Sequence, residues 1–228
     1  MHFAAGKRSV RGLTVIEVLA VVFVFVVLCG LILPVTNGGR CGAEVKCANN
    51  LKNVGLAFRI FATDNYDRFP FELSVNDGGT RELHASGQPF HAFKALSNEL
   101  STPKITICPQ DKQKKASETW TNFTDENLSY FLNIAVRSPN VTNSDYVTRR
   151  VGTMQPADWL GGDRNLTMNG RRVLPGRFRI ATGASAGFGH EFHGTWGNLL
   201  RADGSVEQIS DAGLLSETNH ESYLLLIP

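Results

Sequence analysis

His190-Glu191-Phe192-His193 sets two imidazoles three residues apart, which on a helix would turn both toward one metal ion, and Asp203 could add an oxygen ligand. Glycines at 187, 189, 194 and 197 argue against a helix there, and no HExxH occurs. His193 is therefore expected to make ordinary polar contacts with the Asp203-Gly204 turn, and no metal is assigned. Ser185, in GASAG, lacks the flanks of a nucleophile elbow. Asp64, Asp67 and Glu72 could pair as acid and base, but their turn-forming neighbours favour solvated side chains. No phosphate loop or dinucleotide fingerprint is present. The strongest claim belongs to Glu17, the one carboxylate in the apolar run RGLTVIEVLAVVFVFVV, residues 11–27. An ionisable group is costly in such a setting and so marks a function.

Cysteine supplies four more reactive groups, at 29, 41, 47 and 108. None lies in a CxxC pair, so their spacing does not point to zinc. Cys29, within the apolar run, reads as a small hydrophobe. In an oxidising compartment one disulfide could form. Cys47–Cys108 is then the preferred pair, because Cys41 and Cys47 on one helix would stand too far apart to bridge.

The elements that must position these residues begin with the apolar run. Residues 13–35 form 23 positions that as a helix would reach about 35 Å, enough to cross a bilayer. Lys7, Arg8 and Arg11 precede the run, which favours a cytoplasmic amino terminus. Without those three, 20 of the 23 Lys and Arg residues remain against 21 acidic ones, so the rest is nearly neutral. The net charge of +2 is too small to argue for nucleic acid. A cleaved secretory signal would have a shorter apolar core and a small-residue site, which residues 34–39 do not offer.

Pro34 interrupts the helical pattern, which resumes with Cys47, Leu51, Val54, Phe58 and Phe61 at alternating gaps of four and three. That spacing predicts an amphipathic helix over 41–63, ended by the turn formers of 64–70. Beyond it, 89–100 reads as a short helix, and 105–108, 129–136 and 178–181 read as strands. WGNLLRADGSVEQIS (196–210) reads as a hairpin with a two-residue type I′ turn at Asp203-Gly204. Ser210-Asp211 would cap a last helix before the apolar end 224–228. The stretches 76–80 and 161–170 read as polar, glycine-rich loops. The fold class is α+β.

Lys7-Arg8, Arg11-Gly12-Leu13-Thr14-Val15-Ile16-Glu17 resembles the leader of type IV pilins and type II secretion pseudopilins. The resemblance implies cleavage between Gly12 and Leu13 by a prepilin peptidase and methylation of the new amino group. Leu13 stands where that family more often has Phe or Met. Glu17 would be the fifth residue of the mature chain, and Pro34 would be its residue 22, where many pilins carry a helix-kinking proline. CANNLKNVGLAFRIFATDNYDRFP (47–70), ICPQD (107–111), SYFLNIAV (129–136) and LGGDRN (160–165) are similar to motifs of the H-x9-DG pseudopilin-like group. His193, nine residues before Asp203-Gly204, matches the pattern that names that group.

By that resemblance the chain is a leader (1–12), a transmembrane helix (13–35) and an extracytoplasmic domain (36–228). The implied architecture is one long amino-terminal helix, half in the membrane, packed by its amphipathic half on a small antiparallel sheet. The location would be a bacterial inner membrane, single-pass, with the amino terminus cytoplasmic and the domain periplasmic or extracellular. The function would be a structural subunit of a pilus-like or pseudopilus filament, not an enzyme. Its partners would be the prepilin peptidase, other pseudopilin subunits and a secretion or pilus assembly platform. Glu17 of one subunit would meet the Leu13 amino group of the next, turning two desolvation penalties into one ion pair. No cofactor is implied, although some pseudopilins hold calcium in carboxyl-terminal loops. Asp158, Asp163 and Asp203 are the oxygen ligands available for that, without EF-hand spacing. The competing reading is a tethered binding module or metal-dependent enzyme that uses the leader as an anchor.

Overall fold

Thr14 opens α1 (Val15–Ile32) in the computed structural model, which describes residues 14–32, 39–135, 159–218 and 223–228. The Thr14 amide and hydroxyl donate to Glu17 Oε2 at 2.7 and 2.9 Å, and the Glu17 amide faces Thr14 Oγ1 at 3.4 Å. This is a capping box, two residues each satisfying an orphan donor at the start of the helix. Every residue from Val15 to Leu28 is exposed, and apart from Glu17 none carries a charge.

α1 has 18 residues, about 27 Å at the usual helical rise, against a hydrocarbon core of about 30 Å. Among the described residues no helix is long and apolar enough to cross a membrane. That finding overturns the expected transmembrane helix and, with it, the expected single-pass location in the inner membrane. Gly12, Leu13 and Pro34 lie outside the described residues.

The chain divides into two units, 1–42 and 43–228. In the second, α2 (Gly39–Asp64) buries the stripe its spacing predicts: Cys47, Leu51, Val54, Phe58 and Phe61. The stripe lies on one face of a six-stranded antiparallel sheet, ordered β5-β9-β1-β2-β7-β8. In chain order these are β1 (Tyr130–Asn133), β2 (Trp159–Asp163), β5 (Gly176–Ile180), β7 (Trp196–Arg201), β8 (Val206–Ser210) and β9 (Tyr223–Ile227). Alternation along the strands sorts their side chains between two cores. Tyr130, Leu132 and Leu200 join the α2 stripe, whereas Phe131, Leu199 and Leu225 join a core on the other face. That second core is covered by a three-stranded sheet, β4-β3-β6, and by α4 (Asp211–Thr218). Its strands are β3 (Leu166–Met168), β4 (Arg171–Arg172) and β6 (Ala186–Phe188). The short α3 (Phe90–Ala95) completes the α2 side.

The architecture therefore corrects the expected one. In place of a single long helix on a small sheet, the described residues carry the helices α1 and α2 and nine strands in two sheets. The predicted strand over 105–108 is replaced by a 3-10 turn, Pro103–Thr106, in which Thr102 Oγ1 accepts from the Lys104 amide. The predicted loop over 161–170 holds the central strand β2, all of it buried, and β3. Gly162 is needed there because a Cβ would fall 2.7 Å from the Asn198 carbonyl oxygen and 2.8 Å from the Phe131 ring. Gly162→Ala is expected to destabilise this unit by about 1–3 kcal/mol in urea unfolding. An unchanged midpoint would show that the strands have room to spare.

The β7–β8 hairpin also departs from its two-residue prediction. Gly204 takes φ +87°, but Asp203 is not among the residues at positive φ. The Gly204 amide donates to the Arg201 carbonyl at 3.0 Å, and the Arg201 amide to the Ser205 carbonyl at 2.8 Å. The loop is thus three residues with its third in the left-handed region, and the Ser205 amide closes on Asp203 Oδ1 at 2.8 Å.

Candidate metal centre

Four short motifs, distant in sequence, meet between α2 and the sheet. Cys47 comes from the buried face of α2, Cys108 from the turn after Pro103–Thr106, Asp163 from the end of β2, and His193 from the turn between β6 and β7. Their ligating atoms all lie within 4.8 Å of one another. Cys108 Sγ is 3.4 Å from His193 Nε2, which is 3.5 Å from Asp163 Oδ2. Cys47 Sγ donates to Asp163 Oδ1 at 3.5 Å. The Asp163 and His193 side chains are 0% and 1% exposed, so water does not screen them.

A second ring of residues orients the first. Asn198, on β7, donates its backbone amide and its side-chain Nδ2 to Asp163 Oδ2, both at 2.8 Å. The same Nδ2 lies 3.7 Å from Cys47 Sγ, and the Tyr130 hydroxyl lies 3.9 Å from it. Beside the cluster, Arg164 grips Asp111 through two bonds, Nε to Oδ2 at 2.8 Å and an amino nitrogen to Oδ1 at 2.9 Å. Ser129 Oγ and the Gln113 amide fill the remaining acceptor sites of Asp111, and the guanidinium lies 5.1 Å from the centre of the Phe192 ring. This clamp ties the Cys108 turn to the Asp163 strand end, three residues and one residue from the two ligand candidates.

Electrostatically the cluster is crowded with acids. Burial pushes the Asp163 carboxyl up, and His193 and Asn198 pull it back only in part. Burial lowers His193, but Cys108 and the charge of Asp163 together lift it above its ordinary value. The hydrogen bond from Cys47 draws the Cys108 thiol down to about 6, and the same contact, with burial, pushes Cys47 up. Two sulfurs, a carboxylate oxygen and an imidazole nitrogen converge in a dry space with His193 as the one group able to carry positive charge. Such a set suits a soft or borderline divalent metal.

The structure distributes the sequence-predicted residues unevenly. His193 enters the cluster, whereas His190 is exposed and Glu191 pairs with Arg172 at 3.2 Å. Cys47 and Cys108, the preferred disulfide pair, are brought together as free thiols. Of the calcium candidates, Asp163 is in the cluster, Asp203 is occupied at the hairpin tip, and Asp158 lies outside the described residues. Glu72 accepts from the Phe69 amide at 2.8 Å, a local cap. The residues that sequence reasoning passed over are Asp111, Arg164 and Asn198. Asp111 and Arg164 stood in motifs already noted, but nothing local told that they face each other.

The two ends of the H-x9-DG pattern hold the hairpin to α2. His193 lies at Cys47, while a Cβ on Gly55 would come within 3.2 Å of the Gly204 carbonyl and 2.4 Å of Leu200 Cδ1. The Gly204 position in turn borders the Arg59 side chain. From Cys47 to Arg59 a helix rises about 18 Å, and the six residues of β7 span about 20 Å. No family model, no curated protein and no solved structure matches the chain.

Proposed function

We propose that the chain is a structural subunit of a pilus-like or pseudopilus-type fibre, assembled through α1 after a prepilin peptidase removes residues 1–12. The observation that carries this is the apolar surface of α1. Twelve large apolar side chains, from Val15 to Leu28, are 45% or more exposed. Each would contribute about 1.5–3 kcal/mol on full burial, so α1 holds an unrealised driving force on the order of 20 kcal/mol. A helix apolar on every face belongs in the interior of something larger. Seven of its 18 residues are valines, which do not favour a helix by propensity alone. Copies of the same helix, packed along a fibre axis, supply the missing cover. α2 adds a second apolar stripe, with Val45, Leu56 and Ile60 exposed opposite its buried face.

Glu17 then has two tasks. Its Oε2 closes the capping box, and hydrogen bonds from Thr14 keep the carboxyl below its usual range and therefore ionised. Its Oε1 can meet the Leu13 amino group of a neighbouring subunit. Turnover is not part of the reading. The four clustered side chains are too enclosed to admit a substrate. An open groove of about 410 Å³ beside Ser86, Thr124 and Pro228 spends its hydroxyls on Leu83 O and Asn127 Oδ1.

The test separates the two tasks. Glu17→Gln keeps an oxygen for Thr14 but removes the charge. It is expected to preserve helix content by circular dichroism and to abolish recovery of the protein in a sedimenting filament fraction. Intact mass of the filament protein should show Leu13 as a methylated terminus. Filaments formed normally by Glu17→Gln, or built from chains that retain residues 1–12, would defeat the proposal.

A further inference from the structure

We infer that Cys47, Cys108, Asp163 and His193 bind one zinc ion in a closed tetrahedral site that fastens α2 to the sheet. The donor set is two sulfurs, one imidazole nitrogen and one carboxylate oxygen, all side chains that zinc takes. Two sulfurs disfavour calcium and magnesium, which prefer oxygen. The distances fit as well. Zinc bonds of about 2.3 Å to sulfur and about 2.0–2.1 Å to nitrogen and oxygen, at tetrahedral angles, set sulfur and nitrogen about 3.6 Å apart and nitrogen and oxygen about 3.4 Å apart. The corresponding separations here are 3.4 Å for Cys108–His193 and 3.5 Å for His193–Asp163. Two edges of a metal tetrahedron are thus already set to within about 0.2 Å of the zinc values, and all four ligating atoms lie within 4.8 Å of one another.

Charge leads to the same assignment. Asp163 is fully buried, and the basic side chain paired with it is a histidine that the Cys108 sulfur also faces at 3.4 Å. A divalent ion at the centre compensates those groups together. Binding releases to solvent whatever protons the Cys47 and Cys108 thiols and His193 Nε2 carry and frees Asp163 Oδ1 from Cys47, so that His193 coordinates as neutral imidazole through Nε2. Its Nδ1 is buried and has no hydrogen-bond partner among the described residues, so Nε2 is the nitrogen aimed into the cluster. Asn198 and Tyr130 already orient the carboxylate and a sulfur, the outer ring that metal ligands require. With all four positions taken by protein and no water-accessible face, the site is structural. Its ligands come from four separate elements, so the ion closes three long loops and its binding free energy becomes folding free energy.

The full-length chain, purified in detergent under reducing conditions, is expected to carry stoichiometric zinc by elemental analysis. Cobalt exchanged into it should show the thiolate charge-transfer band and the visible bands of a tetrahedral sulfur-bearing site. Chelation should lower the thermal midpoint and added zinc restore it. His193→Gln and Asp163→Asn should weaken zinc binding by at least about tenfold. Folded wild-type chain with free thiols that binds neither zinc nor cobalt would overturn the inference. So would a Cys47–Cys108 disulfide in the protein isolated without reductant, read as an intact mass two hydrogens lighter. Because the wild-type measurements stand alone, the result does not depend on how well the variants fold, and it is read without reference to fibre formation.

Discussion

Asp111→Ala is expected to destabilise the unit formed by residues 43–228 by about 3–5 kcal/mol, a large fraction of the stability of an ordinary domain. The Asp111 and Arg164 side chains are 0% and 3% exposed, so removing the carboxylate leaves a guanidinium buried without its counter-charge. Gln113 Oε1, 3.1 Å from an Arg164 amino nitrogen, is a neutral acceptor and cannot replace it. Ser129 and the Gln113 amide lose an acceptor as well. Urea unfolding followed by circular dichroism measures the effect. The double variant Asp111→Leu with Arg164→Met should recover much of the loss, because an apolar pair of similar volume avoids both desolvation penalties. A single variant within 1 kcal/mol of the parent, on the order of a surface pair, would mean that water reaches the clamp.

The second large effect is expected from Phe58→Ala, at about 3–5 kcal/mol by the same measurement. Phe58 is fully buried and meets Phe93 and Phe69 edge-on, with ring centroids 5.6 and 6.0 Å apart, and Phe71 at 6.3 Å. Truncation removes the shared member of that aromatic group and leaves a cavity between α2, α3 and the 69–72 turn. Leu56, two residues earlier and 56% exposed, provides the control. Leu56→Ala should change the unfolding free energy by no more than about 0.5 kcal/mol. Within the fibre reading it should instead reduce assembly, so the two variants separate the inner and outer faces of one helix.

α2 was legible because its five apolar positions follow a helical period, and a stripe of that width has to be buried. The β7–β8 hairpin was legible from its flanking apolar residues, although its loop came out one residue longer than predicted. β2 was hidden by its glycines. Gly161 and Gly162 resemble a loop in one dimension, while in three they make room for the Phe131 and Asn198 carbonyls of the flanking strands. Asn169-Gly170, both at positive φ between β3 and β4, carried a readable hairpin signal inside the same supposed loop. Thr14-x-x-Glu17 was equally readable as a capping box, a local role that precedes any role in assembly. The metal cluster could not be read from spacing at all. Its members are separated by 61, 55 and 30 positions, and only the sheet order brings them together.

The match in length between β7 and the stretch of α2 from Cys47 to Arg59 makes the hairpin a gauge. Inserting a single residue into β7 would exchange the sides of Leu199 and Leu200, which serve opposite cores. Inserting two would keep the sides but carry the tip about 7 Å farther along, more than one turn of α2 and away from Gly55, which admits it. The interval between His193 and Gly204 is thus dictated by the pitch of a neighbouring helix, and the hairpin can vary in composition far more readily than in length.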